Sequence, residues 1–108
     1  MKIVIQNIPK ISFNTFVNWS WRKRKSFKDK LRIILKGAFK EQLSGGYTLD
    51  FVFYFKGKKL DTVNVFHYIK IFEDGIFKQD KDNGKISVEV FKGKSNYCEI
   101  KLTKINLI

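Results

Sequence analysis

The spacing of apolar residues changes from an alternating to a helical period early in the chain, and this change restricts the fold to a mixed α/β class. Apolar side chains recur at three- and four-residue intervals among lysines and arginines: Phe27, Leu31, Ile34, Leu35, Ala38 and Phe39. That pattern predicts an amphipathic helix with a basic outer face. Ser26, with Asp29 three residues later, predicts its start, and Ser44-Gly45-Gly46 predicts its end.

The segments on either side of this helix have the composition of β-strands. Residues 2 to 8 alternate weakly, and Pro9, which has no backbone N–H, predicts the end of that strand. Residues 47 to 55 are aromatic and β-branched and end in a continuous apolar run, which is typical of a central strand. Residues 85 to 92 and 97 to 105 predict two final strands after a polar loop.

A second helix is predicted over residues 61 to 74, with Asp61 or Thr62 placed to cap it. Its apolar positions lie three and four residues apart: Val65, Ile69, Phe72 and Ile76. The predicted order is therefore β-α-β-α-β-β. Because the chain has 108 residues, we expect a single α/β (α+β) domain over residues 1 to 108, with a mixed sheet and two main helices.

The chain is strongly basic. It has 22 Lys and Arg against 10 Asp and Glu, which is a formal net charge of +12. Self-repulsion of this size favours an anionic partner, and nucleic acid is the first candidate. The alternative is a lysine-rich surface without a binding function. An anionic membrane is less favoured.

Composition and motifs exclude several other classes of protein. A single cysteine, Cys98, cannot form an internal disulfide or a multi-cysteine zinc site, which favours a reducing compartment. The longest apolar run, residues 51 to 55, is too short to span a bilayer, and the first residues have no signal-peptide pattern. The sequence contains no glycine-rich phosphate-binding motif, so a nucleotide cofactor is not expected. We expect a cytoplasmic protein with no membrane contact.

Residues 18 to 25 predict a DNA-contact loop before the first helix, because they combine two tryptophans with four consecutive cations. The expected contact residues in it are Trp21, Arg22, Lys23, Arg24 and Lys25. The alternative is that the tryptophans anchor the loop to the core while the cations are solvated. Both interpretations are compatible with each other.

The acidic residues are concentrated in one region. Five of the ten lie between residues 61 and 82: Asp61, Glu73, Asp74, Asp80 and Asp82. Such a cluster weakens phosphate binding unless a divalent cation lies between the carboxylates and the phosphate. The cluster therefore predicts a metal-dependent phosphodiesterase. The alternative is that these residues only cap helices and form turns.

The second predicted helix has an ordered polar face: Asn64, His67, Lys70 and Asp74. Lys70 and Asp74 form a surface ion pair in one interpretation, and Lys70 neutralises a scissile phosphate in the other. His67 is the sole histidine and the chain has no nucleophile elbow, which disfavours acyl transfer. Cys98 lies in a strand-like segment and is expected to be a small core or edge residue.

These motifs resemble those of the RusA-type Holliday junction resolvases, small phage and prophage endonucleases. The resemblance covers most of the chain and rests on Asn14 after the first strand, on the Trp-then-basic run at residues 21 to 25, and on residues 60 to 80. Such enzymes usually have an Asp-x-Asp-Asn motif, a Lys and an Asp on the helix that follows, and a later Asp-Asp pair.

Residue by residue, the resemblance carries over to five positions: Asp61 and Asn64 at the helix entry, Lys70 and Asp74 on the helix, and Asp80 in the late pair. The chain departs from the family at two points. One acid stands in residues 59 to 63, where the family commonly has two, and Asp82 is separated from Asp80 by Lys81.

The resemblance implies an α/β homodimer that binds a four-way DNA junction and makes paired symmetric nicks with Mg²⁺, or with Mn²⁺ as the alternative metal, in DNA recombination and repair. The expected catalytic residues are Asp61, Asp80 and Lys70. The expected metal ligands are Asp61, Asp80, Asp74 and Asp82. The expected DNA-binding residues are Asn14, Trp21, Arg22, Lys23, Arg24, Lys25 and Asn64. The alternative is a non-catalytic basic nucleic-acid-binding protein with the same fold.

Overall fold

A mixed four-stranded β-sheet with helices on one face forms the protein. The computed structural model describes residues 1 to 79 and 81 to 105. The elements are β1 (Lys2–Gln6), α1 (Phe13–Val17), α2 (Trp21–Ala38), β2 (Tyr47–Lys56), a 3₁₀ turn (Thr62–Val65), α3 (Phe66–Ile76), β3 (Ile86–Gly93) and β4 (Tyr97–Lys104). The predicted α+β class with a mixed sheet and two main helices is confirmed, and the order gains one short helix, α1.

The strands lie in the order β1-β4-β2-β3. β2 and β3 are parallel and are connected through α3, whereas β4 is antiparallel to both β1 and β2. β2 and β3 therefore end at the same edge of the sheet, where Lys56 is paired with Gly93. We call this edge the carboxyl edge, and the opposite edge, where β2 begins at Tyr47, the amino edge.

The core lies between the sheet and the helices. Every second residue of β2 is fully buried on the helical face: Leu49, Phe51, Phe53 and Phe55. The ring of Tyr68 on α3 packs against Phe53 at 5.5 Å between centroids. On the other sheet face Val52 and Tyr54 are only half-buried, and Phe91 is exposed. The central position predicted for residues 47 to 55 is confirmed, and Cys98 is a buried core residue, as expected.

β1 ends at Gln6, two residues before the predicted end. Asn7 adopts a φ of 56°, in the left-handed region, and this turns the chain out of the strand before Pro9 is reached. Ile8 remains buried, and its N–H donates to the carbonyl of Asn96 at 3.2 Å. The predicted strand was too long because it included Ile8, which is buried but lies beyond the end of β1.

The predicted start of the long helix at Ser26 is wrong. α2 begins at Trp21, and Ser20 is its N-cap, with the hydroxyl accepting a hydrogen bond from the N–H of Lys23 at 3.3 Å. Residues 21 to 25 are mainly basic, so the apolar period does not extend to them, although Arg and Lys are good helix formers. The predicted loop at residues 18 to 25 is thus helical from Trp21 onward.

α2 also ends earlier than the predicted stop at residues 44 to 46. Its last residue is Ala38, and Phe39 is extended. Leu43 then forms backbone hydrogen bonds outside the helix, with its N–H donating to Ile76 at 2.8 Å and its carbonyl accepting from Lys78 at 2.8 Å. These hydrogen bonds to residues distant in the sequence replace those that Leu43 would make if α2 continued.

The segment after β2 is a 3₁₀ turn followed by α3, in place of one helix over residues 61 to 74. Asp61 occupies the N-cap position, as predicted, but its side chain makes no capping hydrogen bond. Its backbone carbonyl accepts from the N–H of Asn64 at 2.9 Å. None of the helices in residues 1 to 79 and 81 to 105 has the length and apolar character needed to cross a bilayer.

Candidate nucleic-acid interface and acidic site

Aromatic and basic side chains line two adjoining cavities on the helical side of the molecule. The first, which we call the basic groove, has a volume of about 400 Å³ and is lined by Phe16, Trp21, Arg24, Lys25, Lys28 and Arg32. The second, which we call the aromatic pocket, has a volume of about 280 Å³ and is lined by Phe13, Phe16, Lys28, Phe66, His67, Lys70 and Ile71. Phe16 and Lys28 line both, so the two cavities are adjacent.

The helical start of α2 divides the predicted DNA-contact residues between different surfaces. Trp21, Arg24 and Lys25 line the basic groove. Arg22 lines a neighbouring depression on α2, which shares only Lys25 with the basic groove. The ammonium of Lys23 lies 4.5 Å from the ring centroid of Trp19. Because successive helical residues point in different directions, a run of four cations in sequence is not a single patch in space.

The two tryptophans have different roles, and both interpretations of them apply. Trp19 packs on the core, with ring-centroid distances of 6.2 Å to Phe16 and 5.7 Å to Phe27. The side chain of Trp21 is 64% exposed at the mouth of the basic groove. Trp19 therefore anchors the start of α2, and Trp21 is available for stacking on a base.

One carboxylate lies among the cations of α2. Asp29 pairs with Lys25 at 2.8 Å and with Arg32 at 3.7 Å. The hydrogen bond from Lys25, followed by the nearby positive charges, lowers the pKa of Asp29 below its ordinary value. All three side chains are well exposed, and exposed ion pairs contribute little to stability. A phosphate can therefore displace Asp29 from these cations at small cost.

A third cavity lies at the carboxyl edge of the sheet. It has a volume of about 330 Å³ and is lined by Lys10, Lys58, Lys59, Leu60, Asp61 and Asn64. We call it the Asp61 pocket. The carboxyl ends of parallel strands are the usual position of ligand sites in α/β folds. The structure thus brings Asp61 and Asn64 together, and it places three lysines beside them.

These three lysines were not among the predicted site residues. Lys58 and Lys59 belong to a Lys-Gly-Lys-Lys sequence, residues 56 to 59, that is typical of a turn, and Gly57 does turn the chain, with a φ of 76°. Lys10 donates to the carbonyl of Lys56 at 3.2 Å and is thereby held at the carboxyl edge. The available signal was the position of the two turn lysines directly before Asp61.

The loop that carries Lys10 is fastened to α3 by two buried polar side chains. The hydroxyl of Tyr68 donates to the carbonyl of Pro9 and accepts from the N–H of Ile11 at 2.8 Å. The Nε2 atom of His67 lies 2.7 Å from the carbonyl oxygen of Ile11. Burial raises the pKa of Tyr68, so this residue remains a neutral donor. The loop therefore has a defined position beside the first turn of α3.

The expected polar face of the second helix is interrupted by His67. Its side chain is only 4% exposed and is stacked on the ring of Phe16 at 5.0 Å between centroids. Burial lowers the pKa of His67 to about 4, so the imidazole is neutral at pH 7. A neutral ring donates from Nε2 to Ile11 and keeps its lone pair on Nδ1. Among the described residues, Nδ1 has no hydrogen-bond partner.

The described members of the acidic cluster are divided between the two edges of the sheet. α3 runs from the carboxyl edge back to the amino edge, so Asp61 and Asp74 are about 20 Å apart along the segment. Asn83 accepts from the N–H groups of Gly46 and Tyr47 at 3.0 Å, which places Asp82 near the start of β2.

β2 has ten residues and spans about 30 Å between the two edges. Within one chain, Asp74 and Asp82 therefore do not share an ion with Asp61. Asp74 instead pairs with Lys70 at 3.2 Å, which agrees with the surface-pair interpretation. Lys70 lines the aromatic pocket and is absent from the lining of the Asp61 pocket.

A divalent ion at the Asp61 pocket would have few protein ligands among the described residues. No group of three or more His, Cys, Asp and Glu side chains comes together in residues 1 to 79 and 81 to 105. Mg²⁺, however, is commonly held by one or two carboxylates together with substrate phosphates. Asp61, with Asn64 beside it, fits that mode. Asp80 lies outside the described residues, and its pairing with Asp61 stays a prediction.

Asn14 is exposed on α1, and not in a loop as expected; its carbonyl accepts from the Nδ2 of Asn18 at 2.9 Å. α1 is N-capped by Ser12 and is too short for its period to be recognised in the sequence.

No family model matches the chain, and no curated protein matches it significantly. The resemblance to RusA-type resolvases therefore stays a prediction.

Proposed function

We propose that the protein binds DNA through the basic groove. The observation that carries this proposal is that one exposed tryptophan and four cations line a single groove: Trp21, Arg24, Lys25, Lys28 and Arg32. Cations bind the phosphate backbone without regard to sequence, and an exposed aromatic ring stacks on bases that are not paired. The net charge of +12 favours the same partner.

The path of the DNA extends from the basic groove to the Asp61 pocket. The groove adjoins the aromatic pocket at Phe16 and Lys28. Phe66 of the aromatic pocket is two residues from Asn64 of the Asp61 pocket, so their Cα atoms are at most about 7.6 Å apart. A strand that leaves the groove can therefore bring a phosphate to Asp61.

A second proposal is that the protein nicks four-way DNA junctions in paired symmetric positions, in DNA recombination and repair within a bacterial or phage-infected cell. It is favoured by the grouping of Asp61 and Asn64 with three lysines. Asp61 would hold Mg²⁺ or Mn²⁺ with the Asn64 amide. The metal would supply an activated water and charge stabilisation. Lys10, Lys58 and Lys59 would bind the phosphate and offset its negative charge.

The test is the nicking of a synthetic four-way junction and of a linear duplex, with Mg²⁺ and with EDTA. Asp61→Asn removes the carboxylate charge at nearly constant size, so we expect nicking to fall by about 100-fold or more. Binding should be unchanged or tighter, because a negative charge beside the phosphate is lost. Asp82→Asn, at the other edge of the sheet, should nick like the wild type.

Two outcomes would contradict the cleavage proposal. One is Mg²⁺-dependent nicking that Asp61→Asn leaves intact. The other is tight junction binding by the wild type with no nicking in Mg²⁺ or Mn²⁺, which would support the alternative of a non-catalytic DNA-binding protein. Neither outcome affects the proposal that the basic groove binds DNA, which is tested by Arg24→Ala and Lys28→Ala with a filter-binding assay.

We further propose that the protein acts as a homodimer through the sheet face that the helices leave open. On this face Asp50 of β2 is paired in register with Lys101 of β4, and these are the two central strands. A two-fold axis parallel to the strands sets β4 of one copy over β2 of the other. Lys101 of each copy then lies opposite Asp50 of its partner, which is the self-complementary arrangement of a two-fold interface.

Charge exchange at these two positions tests the dimer. Asp50→Lys should dissociate it, because four lysines would then meet at the interface, and Asp50→Lys combined with Lys101→Asp should restore it. Sedimentation velocity measures the change in mass. A monomeric wild-type protein, or a double variant that stays as dissociated as Asp50→Lys, would contradict the proposed interface.

A further inference from the structure

The aromatic pocket has walls that are unusually exposed for large apolar side chains. Phe66 is 50% exposed and Phe13 is 37% exposed, and their ring centroids are 6.5 Å apart in an edge-on arrangement. Phe66 belongs to α3 and Phe13 to α1, so the pocket lies where these two helices meet. Exposed aromatic rings that line a concave surface are a common feature of binding sites.

The floor of the pocket contains a polar group in an apolar surrounding. His67 is almost fully buried there, between the rings of Phe13, at 5.9 Å, and Phe16, at 5.0 Å. Its Nδ1 atom has no hydrogen-bond partner among the described residues. Because Nε2 faces the carbonyl of Ile11, Nδ1 is the acceptor of the ring. The floor is therefore apolar apart from this one buried acceptor.

The rim of the pocket is basic. Lys28 from α2 and Lys70 from α3 line it, and the ammonium of Lys70 is also paired with Asp74 at 3.2 Å. An anionic group attached to a planar ring would therefore find cations beside aromatic walls. Among common ligands, a nucleotide has this combination of charge and shape.

The size of the pocket restricts the ligand to one ring system. Its volume of about 280 Å³ is just below the range of roughly 300 to 1,000 Å³ that is typical of sites for drug-sized ligands. A base pair does not fit, whereas a single base does. The base must be unpaired, because a paired base keeps both faces stacked in the duplex.

We propose that the aromatic pocket captures one unpaired nucleobase from branched or bulged DNA. The base stacks on the ring of Phe66 and contacts Phe13, whose ring is inclined by 66° to that of Phe66. The adjoining phosphates contact Lys28 and Lys70. This inference rests on the proposed binding of DNA by the basic groove, which the pocket adjoins. It gives the protein a preference for disrupted over regular duplex DNA, since an unpaired base is extruded at low cost.

The experiment compares two duplexes in EDTA, one with a single extrahelical adenine and the other with an abasic tetrahydrofuran residue at the same position. The backbone and its charge are the same in both. Stacking on an aromatic side chain contributes about 1 to 3 kcal/mol per base, so we expect the wild type to bind the adenine bulge at least about 5-fold more tightly.

Phe66→Ala should reduce this preference to less than about 2-fold, because the most exposed wall is lost. Ile33→Ala is the control, since Ile33 is also an exposed apolar residue, at 71%, but lines neither the aromatic pocket nor the basic groove and lies on α2, away from the open sheet face. It should keep the wild-type preference. Replacement of the bulged adenine by 2-aminopurine gives a second readout, in which transfer of the base from the DNA stack to the pocket changes its fluorescence for the wild type and not for Phe66→Ala.

Equal affinity of the wild type for the two duplexes overturns the base pocket and leaves the basic groove intact. Equal loss of preference in Phe66→Ala and Ile33→Ala overturns it as well. Failure to bind either duplex overturns the proposed DNA binding itself, and the inference with it. The comparison of the two duplexes needs no variant, so it decides the question even if Phe66→Ala is poorly folded.

Discussion

At the scale of single residues, the position of His67 shows how burial changes the chemistry of a side chain. Its spacing from Asn64 and Lys70 placed it on a polar helix face, but the structure buries it among aromatic rings. The burial follows from α1, whose Phe16 covers the imidazole. Since a short helix leaves almost no pattern in a sequence, the environment of His67 was not predictable from the residues of α3 alone.

The pKa of His67 makes the stability of the protein dependent on pH. The folded-state pKa is about 4, below the ordinary value of 6.5. Between these values the unfolded chain binds a proton that the folded chain does not, so stability decreases as the pH falls. The loss from this one group between pH 7 and pH 4 is about 3 kcal/mol.

Urea unfolding of the wild type and of His67→Gln at several pH values measures this effect. Gln retains an N–H donor for Ile11 but does not titrate, and all other groups are common to both proteins. We expect His67→Gln to be less stable at pH 7 and to lose less stability on acidification. Parallel pH profiles for the two proteins would contradict the neutral, buried state of the imidazole.

At the scale of elements, the boundaries of α2 were the least predictable feature, although its existence was correctly predicted. Its apolar face is clear in the sequence because Phe27, Leu31 and Leu35 are buried at helical spacing. Its first turn carries charged residues that face solvent. These residues contribute nothing to the apolar period, so the sequence does not show whether they are helical. The true cap, Ser20, is recognised only by its hydrogen bond to Lys23.

Two serine variants distinguish the true cap from the predicted one. Ser20→Ala removes the hydroxyl that accepts from Lys23, and we expect it to lower the free energy of unfolding by about 1 kcal/mol. Ser26→Ala lies within the helix on an exposed position and should leave stability unchanged or slightly increased, because Ala has the higher helix propensity. Thermal or urea denaturation followed by circular dichroism measures both. Equal effects of the two substitutions would contradict capping by Ser20.

At the scale of the whole molecule, charge and topology have separate consequences. The net charge of +12 was known from composition, but the surface on which the cations act was not. Arg24, Lys28 and Arg32 face one groove because α2 brings every third or fourth residue to the same side. Lys10 and Lys59 meet at the carboxyl edge only after the sheet has formed.

Binding through these cations should be strongly dependent on salt. If six of them neutralise phosphates, the logarithm of the association constant for duplex DNA should fall with the logarithm of salt concentration with a slope of about −5. Fluorescence anisotropy between 50 and 300 mM NaCl measures the slope. A slope near zero would contradict an electrostatic interface, and Arg24→Ala should reduce the slope by about 1.

The sequence by itself determined the α+β class, the central position of β2 and the basic character of the surface. These properties depend on local period and composition, which a linear pattern retains. It also predicted that Asp61 and Asn64 are neighbours, since two residues three positions apart in one turn cannot be far from each other in space. The tertiary structure decided that Asp74 and Asp82 lie far from Asp61.

Asp61 and Asp82 are close in sequence to one helix but lie at opposite edges of the sheet, because a parallel β-α-β connection carries the chain along the full length of the strands. The tertiary structure likewise brought Phe13 and Phe66 into one pocket, since residues from two helices meet only through packing. Sequence spacing thus predicts which residues are neighbours within a turn of helix, but not which residues are neighbours after the chain has run along the full length of the sheet.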